Sequence, residues 1–140
     1  MKMLVTALDA RNKDGELAYN DVVNGVYIDW DGEIHTEKGV QDTENEIDVL
    51  MMHGIIPVFV SCKNGKIETE ELYKLNSVAE RFGGSYAKKV LIASSLGDGK
   101  SDKAFRQRAK DMNIRIVDKI TEKNDEELSS IIASLWYANC

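Results

Sequence analysis

Apolar and polar positions alternate along the chain in patterns that separate helical from extended segments. The first eight residues carry apolar side chains at helical spacing. Between residues 22 and 30 every second residue falls on one face, which predicts a strand, and Asp31-Gly32 is a strong hairpin-turn sequence. Residues 33–36 are then expected to begin the returning strand.

The rest of the chain predicts seven further elements. Asn124, followed three residues later by Glu127, resembles a capping box and predicts the start of the last helix. The predicted order is strand, strand, helix, strand, helix, strand, helix, at residues 45–52, 56–63, 69–82, 89–94, 103–112, 114–118 and 124–135. Hairpin-linked strands followed by strand–helix–strand units indicate an α/β fold, a mixed sheet with helices on both faces.

Composition adds limits to this picture. With 140 residues and 43% apolar side chains, the chain (residues 1–140) is expected to form a single domain. No apolar run approaches the roughly 20 residues that a membrane span needs, so we expect no membrane partner. Its two cysteines show neither a disulfide framework nor a metal-type spacing, which favours a cytoplasmic location.

Charge is distributed unevenly. The formal net charge is -6, yet residues 1–50 carry 4 basic and 12 acidic side chains while residues 51–115 carry 12 and 7. Acidic residues that hold a cation beside a basic, phosphate-binding surface would produce this asymmetry, and so would scattered solvated charge. Both interpretations stay open.

The candidate chemistry lies on two neighbouring predicted strands. Glu44, Glu46 and Asp48 are two residues apart and are expected to share one strand face, with Ile47 and Val49 facing the core. Such a row of carboxylates is unfavourable unless it is solvated or neutralised by a cation, and hard oxygen ligands suit Mg²⁺ or Mn²⁺. On the next strand Ser61 and Lys63 share the face opposite Cys62. A lysine there can position water and offset charge in the transition state.

These residues resemble a known family. The segments that carry the resemblance are Tyr19-Asn20-Asp21-Val22, Asp29-Trp30-Asp31-Gly32, Asn45-Glu46-Ile47-Asp48 and Ser61-Cys62-Lys63-Asn64-Gly65. They are similar to the PD-(D/E)xK nucleases, and in particular to the nuclease domain of CRISPR-associated effectors that carry a CARF sensor domain. The resemblance implies a restriction-endonuclease-like fold and metal-dependent cleavage of DNA or RNA in antiviral defence. It also implies a homodimer controlled by a cyclic oligonucleotide.

By this resemblance Asp48 corresponds to the metal-binding aspartate and Lys63 to the motif lysine, with Glu46 as an additional contact. Ser61 departs from the pattern, because the motif normally has an acid at that position. Some enzymes of this fold take the acid from the following helix instead, which directs attention to Glu68 and Glu71. Glu71, four residues before a core leucine, is the preferred metal ligand of the two.

A second departure concerns the first helix, which usually contributes a glutamate near the site, whereas residues 1–8 contain none. We therefore expect the chain to be the C-terminal part of a longer protein, with a CARF-type sensor domain upstream. Together with Ser61, the missing glutamate motivates an alternative function: a catalytically impaired nuclease fold that binds nucleic acid or dimerises.

Simpler interpretations exist for each candidate residue. Asp48 and Lys63 could form a cross-strand ion pair, and Cys62 is expected to be a buried structural thiol. His35 and His53 are interpreted as exposed turn residues. Trp136 and Tyr137 could stack on bases, but an anchor for the last helix or a dimer contact is the favoured interpretation. A predicted basic surface could track a nucleic-acid backbone or be an ordinary solvated helix face; its members are Lys88, Lys89, Lys100, Lys103, Arg106 and Arg108.

Overall fold

The predicted alternation of helices and strands is present in the computed structural model, which describes residues 2–29, 44–96 and 100–137. Two short 3₁₀ helices, Gly84–Tyr86 and Ile120–Glu122, accompany the main elements. In chain order those elements are α1 (Lys2–Asp9), β1 (Asp21–Asp29), β2 (Glu44–His53), β3 (Ile56–Lys63), α2 (Thr69–Gly83), β4 (Lys88–Ala93), α3 (Lys100–Asp111), β5 (Ile114–Val117) and α4 (Asp125–Ser134).

The strands form one five-stranded mixed sheet in the order β1-β2-β3-β4-β5. β1 pairs antiparallel with β2, and β2 pairs antiparallel with β3 through the short connection after His53. β3, β4 and β5 are parallel, joined by α2 and α3 as crossover helices. Their carboxyl ends therefore meet at one edge of the sheet, where Lys63 ends β3. The predicted α/β fold class is confirmed.

Each face of the sheet packs on a hydrophobic core. One core lies between the sheet and α1 and α4; its buried members include Ala7, Val49, Met51, Val58, Val60, Val90, Ile92, Leu128 and Ile132. The other lies between the sheet and α2 and α3; its buried members include Ile47, Phe59, Leu72, Leu75, Leu91, Phe105 and Ile114. Val58 and Val60 face one core and Phe59 the other, as the alternation along the strand predicts.

Local sequence signals explain several element boundaries. The side chain of Asn124 accepts a hydrogen bond from the Glu127 amide at 2.8 Å, so the predicted cap of the last helix is confirmed. α2 ends at Gly83 and is followed by Gly84, whose φ of +69° lies outside the helical range. A Cβ on Gly83 would lie 2.5 Å from both the Ala87 Cβ and the Phe59 ring. Only glycine permits that approach. The Asp31-Gly32 turn, the strand at residues 33–36 and His35 lie outside the described residues.

The segment before β1 fastens the turn between β2 and β3 to α4. The buried hydroxyl of Tyr19 donates to the Ile132 carbonyl of α4, and the Asn20 side chain accepts from the Gly54 amide at 2.7 Å. Burial raises the pKa of Tyr19, so the phenol stays protonated as a donor. Tyr19 and Asn20, which contribute to the family resemblance, therefore have structural contacts away from the end of β3.

The expectation that His53 is an exposed turn residue is wrong. The imidazole is half-buried, with Nδ1 2.6 Å from the Ala18 carbonyl oxygen. Its ring stacks on Trp136 with centroids 3.6 Å apart and planes within 6°. Trp136, just after α4, thus packs against the end of β2, as expected of an anchor for the last helix.

None of the helices within residues 2–29, 44–96 and 100–137 combines the length and the apolar composition that a membrane span requires.

Candidate functional site at the end of β3

Asp48 makes a contact that the strand pattern does not predict. Its Oδ2 atom accepts a hydrogen bond from the Cys62 amide at 2.7 Å, and the carboxylate is half-buried. The backbone pairing between β2 and β3 runs from His53↔Ile56 to Val49↔Val60. Beyond Val49↔Val60, the Cys62 amide donates to the Asp48 carboxylate in place of the backbone carbonyl that a continuing ladder would provide. The carboxylate is thereby directed across to β3.

The prediction that Ile47 and Val49 face the same core from β2 is wrong. Ile47 packs in the core with α2 and α3, whereas Val49 packs in the core with α1 and α4, so the two residues do not share a face. On β1 the neighbouring pairs flank Gly25, which has a φ of +60°. We attribute the change of face to this local distortion opposite Asp48, because regular strand geometry would keep residues two apart on one side. Glu46 is exposed.

Lys63 lies on the opposite side of β3 from Cys62, as predicted. Its Nζ atom is 3.0 Å from Oε2 of Glu71 in the first turn of α2, and the two side chains are 33% and 28% exposed. The end of β3 is held by a hydrogen bond from the Ser94 amide to the Lys63 carbonyl at 3.1 Å. The Ser94 hydroxyl in turn accepts from the Gly65 amide at 3.2 Å. The backbone beneath Lys63 is therefore tied to the end of β4.

The two glutamates considered as substitutes for the missing acid have different positions. Glu71 reaches Lys63, whereas Glu68 precedes α2, is exposed, and lies 3.6 Å from the ammonium group of Lys66. Ser61 is half-buried and, by strand alternation, shares the face of Phe59 and Lys63. The structure thus brings Glu71 and Lys63 together beside the Ser61 face, and leaves Glu68 and Glu46 at the surface.

Cys62 donates its amide to Asp48 and precedes Lys63 in the chain, and the charges of both residues affect the pKa of its thiol. It packs against the core with α1 and α4. Burial raises the pKa of its thiol to about 11, and the negative charge of Asp48 adds to the shift while the positive charge of Lys63 opposes it. The fields of Asp48 and Lys63 therefore converge on one residue. A thiol with this pKa is protonated near neutral pH and is a poor nucleophile.

The donor atoms near the end of β3 are hard oxygens. They are the carboxylates of Asp48 and Glu71 and the hydroxyl of Ser61. Among the described residues no three acidic, histidine or cysteine side chains are grouped closely enough to hold a metal ion. Mg²⁺ does not require such a cage, because it keeps several waters and is bound through one or two carboxylates plus substrate phosphates. Oxygen donors of this kind are the ones that Mg²⁺ and Mn²⁺ prefer.

An ion pair at the same sheet edge was not predicted from the sequence. Arg106 Nη2 lies 2.6 Å from Asp118 Oδ2, and Asp118 Oδ1 accepts from the Leu96 amide at 3.1 Å. Burial opposes ionisation of Asp118, but the hydrogen bonds from Arg106 and from the Lys119 and Leu96 amides outweigh it and hold its pKa below the ordinary value. Arg106, assigned to the basic surface, therefore joins α3 to the end of β5.

Comparisons with known proteins agree with this architecture. A family model described as Card1-like, endonuclease domain, matches residues 11–134. No curated protein matches the chain. Protein VC1899 from Vibrio cholerae superposes with a TM-score of 0.64 at 19% identity, over 96% of this chain and 31% of that one. Can2 from Sulfobacillus thermosulfidooxidans, solved in complex with cyclic tetra-adenylate, gives 0.66 at 18% identity, over 98% and 32%.

A third structure, the protein of unknown function AF1548, superposes with a TM-score of 0.50 at 15% identity, over 92% of this chain and 65% of that one. At these identities the likeness shows a shared fold. The chain spans about a third of the length of VC1899 and Can2.

Proposed function

The chain belongs to the Card1-like endonuclease domain family. On this basis we propose that it hydrolyses phosphodiester bonds in DNA or RNA. Asp48 and Lys63 are the proposed centre of a PD-(D/E)xK active site. One observation carries the proposal: the Asp48 carboxylate accepts a hydrogen bond from the Cys62 amide, while Lys63, the next residue, forms an ion pair with Glu71. A carboxylate and an ammonium group thus flank the carboxyl end of one strand.

The proposed roles follow from these contacts. Asp48 would hold the metal ion, and the Cys62 amide fixes one of its carboxylate oxygens so that the group is oriented before substrate arrives. Glu71 is the proposed second carboxylate ligand and also orients Lys63. Ser61 contributes a hydroxyl, a weaker ligand than the acid usual at its position. Glu46, being exposed, is the least favoured of the proposed ligands.

A bound Mg²⁺ or Mn²⁺ would polarise the scissile phosphate and lower the pKa of an attacking water. The protein groups perform the remaining tasks. Lys63 holds the attacking water by hydrogen bonding and offsets negative charge on the phosphate as the bond breaks. Glu71 keeps the Lys63 ammonium group in place through the 3.0 Å contact.

The larger context of the domain is part of the proposal. Can2, which shares the fold, was solved with cyclic tetra-adenylate, and this chain matches only about a third of its length. We propose an upstream CARF-type sensor domain that binds a cyclic oligonucleotide, a homodimeric assembly, and a role in CRISPR-associated defence in the cytoplasm.

A second candidate is a nuclease fold that binds nucleic acid or dimerises without cleavage. Ser61 at the usual acid position favours it, as does the lack of a three-acid group among the described residues. The two candidates differ in one measurable respect, because only the first makes cleavage depend on Asp48 and Lys63.

Cleavage assays with Mg²⁺ or Mn²⁺ on single- and double-stranded DNA and RNA test the proposal. We expect cleavage by the unaltered chain and its loss in Asp48→Ala and Lys63→Ala. Lys74→Ala, on the solvent face of α2, is the matched control for lysine removal. Cleavage that is unchanged in both active-site variants would remove these residues from the mechanism.

A further inference from the structure

Asn64 and Gly65 directly follow β3, next to the proposed catalytic lysine. β3 ends at Lys63 and α2 begins at Thr69, and the connection between them, residues 64–68, contains neither helix nor strand. Asn64 and Gly65 are both exposed. The carboxamide of Asn64 is therefore accessible to water, and no regular element fixes the backbone beside it.

An asparagine followed by a glycine has a known route to chemical modification. The Gly65 nitrogen attacks the side-chain carbonyl carbon of Asn64, a C–N bond forms, the bond from that carbon to Nδ2 breaks, and the amide proton leaves with the nitrogen as ammonia. Water then opens the succinimide ring at either carbonyl, which leaves aspartate or isoaspartate at position 64. Asparagine is a thermolabile residue, and glycine hinders the attack least because it has no Cβ.

The backbone at Gly65 leaves room for this reaction. Gly65 has a φ of +88°, and a Cβ built on it would meet nothing within 4 Å. The attacking nitrogen must approach the Asn64 side chain, which requires rotation about the main chain between them. A connection outside helices and ladders can make that rotation without opening the fold.

One hydrogen bond restrains the attacking nitrogen. The Gly65 amide donates to the Ser94 hydroxyl at 3.2 Å, in an exposed position. Ser94 is itself held in place, because its own amide donates to the Lys63 carbonyl at 3.1 Å. While the Gly65 amide is bonded in this way, its nitrogen is kept towards the end of β4. The reaction therefore requires this bond to open, and a single exposed bond opens more often than a strand ladder.

The same dipeptide occurs a second time in the chain. Asn24 and Gly25 lie within β1 and are also exposed. The ladder between β1 and β2 holds the residues on both sides of Gly25. Rotation at Asn24 would break backbone pairs of the sheet, whereas rotation at Asn64 breaks the bond to Ser94. The dipeptide in β1 is thus an internal comparison for the effect of the backbone.

We propose that Asn64 is a site of spontaneous deamidation and that the Ser94 hydroxyl slows the reaction. The product places a new carboxylate beside Lys63, where it competes with Glu71 for the ammonium group. In the isoaspartate form the main chain is also longer by one methylene, which shifts the Gly65 amide relative to Ser94. Deamidation itself requires no cleavage activity; only its effect on cleavage rests on the proposed function.

Peptide mass spectrometry of the intact chain, incubated for days at mildly alkaline pH, tests the inference. Digestion after glutamate at mildly acidic pH, where ring formation is slow, releases residues 47–68 with Asn64 and residues 17–33 with Asn24. Fragment masses then assign each conversion of amide to acid to its position. We expect Asn64 to convert at least about fivefold faster than Asn24, because less structure must open. Conversion of Asn64 at or below the rate of Asn24 would overturn the inference.

Ser94→Ala tests the restraint. Loss of the hydroxyl acceptor should accelerate conversion of Asn64 by about three- to tenfold, the equivalent of one ordinary hydrogen bond, and leave Asn24 unchanged. Ser94→Thr keeps a hydroxyl and should restore the slow rate. Ser77→Ala, at an exposed position on α2, is the matched control. An unchanged rate at Asn64, or equal acceleration at both asparagines, would contradict a local restraint by Ser94.

Cleavage assays on the incubated protein test the consequence for the proposed active site. Cleavage should fall in proportion to the fraction of Asn64 converted, whereas Asn64→Gln, whose longer side chain closes the ring far more slowly, should keep its rate. Full activity after complete conversion would contradict an effect on Lys63. A chain that converts at Asn64 but cleaves no substrate when fresh would contradict the proposed function and leave the deamidation site standing.

Discussion

The Lys63 ammonium group lies 3.0 Å from the Glu71 carboxylate, joining the last residue of β3 to the first turn of α2. Both side chains are about a third exposed, so water and a phosphate can reach them. The pair forms where parallel strands end, the usual position for chemistry in α/β proteins. Its value for folding is expected to be small, because partly exposed ion pairs contribute about 1 kcal/mol or less.

Glu71→Gln is therefore expected to affect cleavage much more than stability. We predict a fall in the cleavage rate of about 10- to 100-fold, the usual loss when a ligand or its orienting partner is removed. Single-turnover cleavage across a range of Mn²⁺ concentrations measures it. A metal ligand would raise the Mn²⁺ concentration needed for half-maximal rate, whereas a residue that only positions Lys63 would lower the maximal rate alone.

Glu70→Gln is the matched control for this experiment. Glu70 occupies the preceding helix position and pairs with Lys74 at 3.6 Å, on the solvent face of α2. Equal cleavage rates in the two glutamine variants would contradict a role for Glu71 at the site.

Asp48→Asn separates the charge of Asp48 from its structural hydrogen bond. The asparagine oxygen can still accept from the Cys62 amide, so we expect a melting temperature within a few degrees of the unaltered chain. Loss of the negative charge should reduce cleavage by at least about 100-fold, or about 2.7 kcal/mol in transition-state stabilisation. Asp48→Ala should add a stability loss of about 1–3 kcal/mol, because the half-buried amide loses its acceptor.

Asp21→Asn, at the start of β1 and paired with Met52 at the other end of β2, provides the control for removing a carboxylate from the sheet away from the candidate site. Denaturant unfolding and single-turnover cleavage, run on all three variants, give both quantities. Full cleavage activity in Asp48→Asn would show that the carboxylate serves the fold and not the reaction.

Periodicity predicted those parts of the site that depend on regular strands and helices. Lys63 faces α2 because strand residues alternate, and Glu71 faces the sheet because it lies four residues before buried Leu75. The direction of Asp48 could not be predicted, since it depends on the ladder ending at Val49↔Val60 and on Gly25 of another strand. His53 was misjudged for a similar reason: its stacking partner is Trp136, far along the chain.

Cys62 should be chemically inert although it lies between the candidate groups. Burial, with the charge of Asp48, raises its pKa to about 11. In a Cys140→Ser background, which removes the other thiol of the chain, alkylation by iodoacetamide should therefore accelerate only as the pH approaches that value. Because the folded-state pKa is raised, the associated stability is complete below the ordinary thiol pKa and is lost as the pH rises through about 11. A thiol that reacts half-maximally near pH 9 would show that the side chain is not buried in this way.

Cys62→Ala removes the thiol and leaves the backbone amide that holds Asp48. We expect cleavage to continue at a rate within about threefold of the unaltered chain, measured under single-turnover conditions. The comparison with Asp48→Ala is informative, since Asp48→Ala removes the carboxylate that accepts from the Cys62 amide, whereas Cys62→Ala leaves both partners of that hydrogen bond in place. A loss of activity as large as that of Asp48→Ala would make the Cys62 side chain part of the mechanism.

The Arg106–Asp118 pair should make stability depend on pH in the acid range. The folded-state pKa of Asp118 lies below its ordinary value of 3.8, so its contribution is present above about pH 4 and is lost as the pH falls through the lowered value. Removing the partner with Arg106→Gln should destabilise the chain near pH 7, and the difference should shrink on acidification below about pH 4. Urea unfolding at intervals from pH 7 to pH 3 measures this difference in the free energy of unfolding.

Arg108→Gln is the control for Arg106→Gln. Arg108 donates to the neutral Thr69 hydroxyl, so the effect of its removal should not shrink when Asp118 is protonated. A constant difference between the unaltered chain and Arg106→Gln over the whole range would mean that the ion pair does not set the pKa of Asp118.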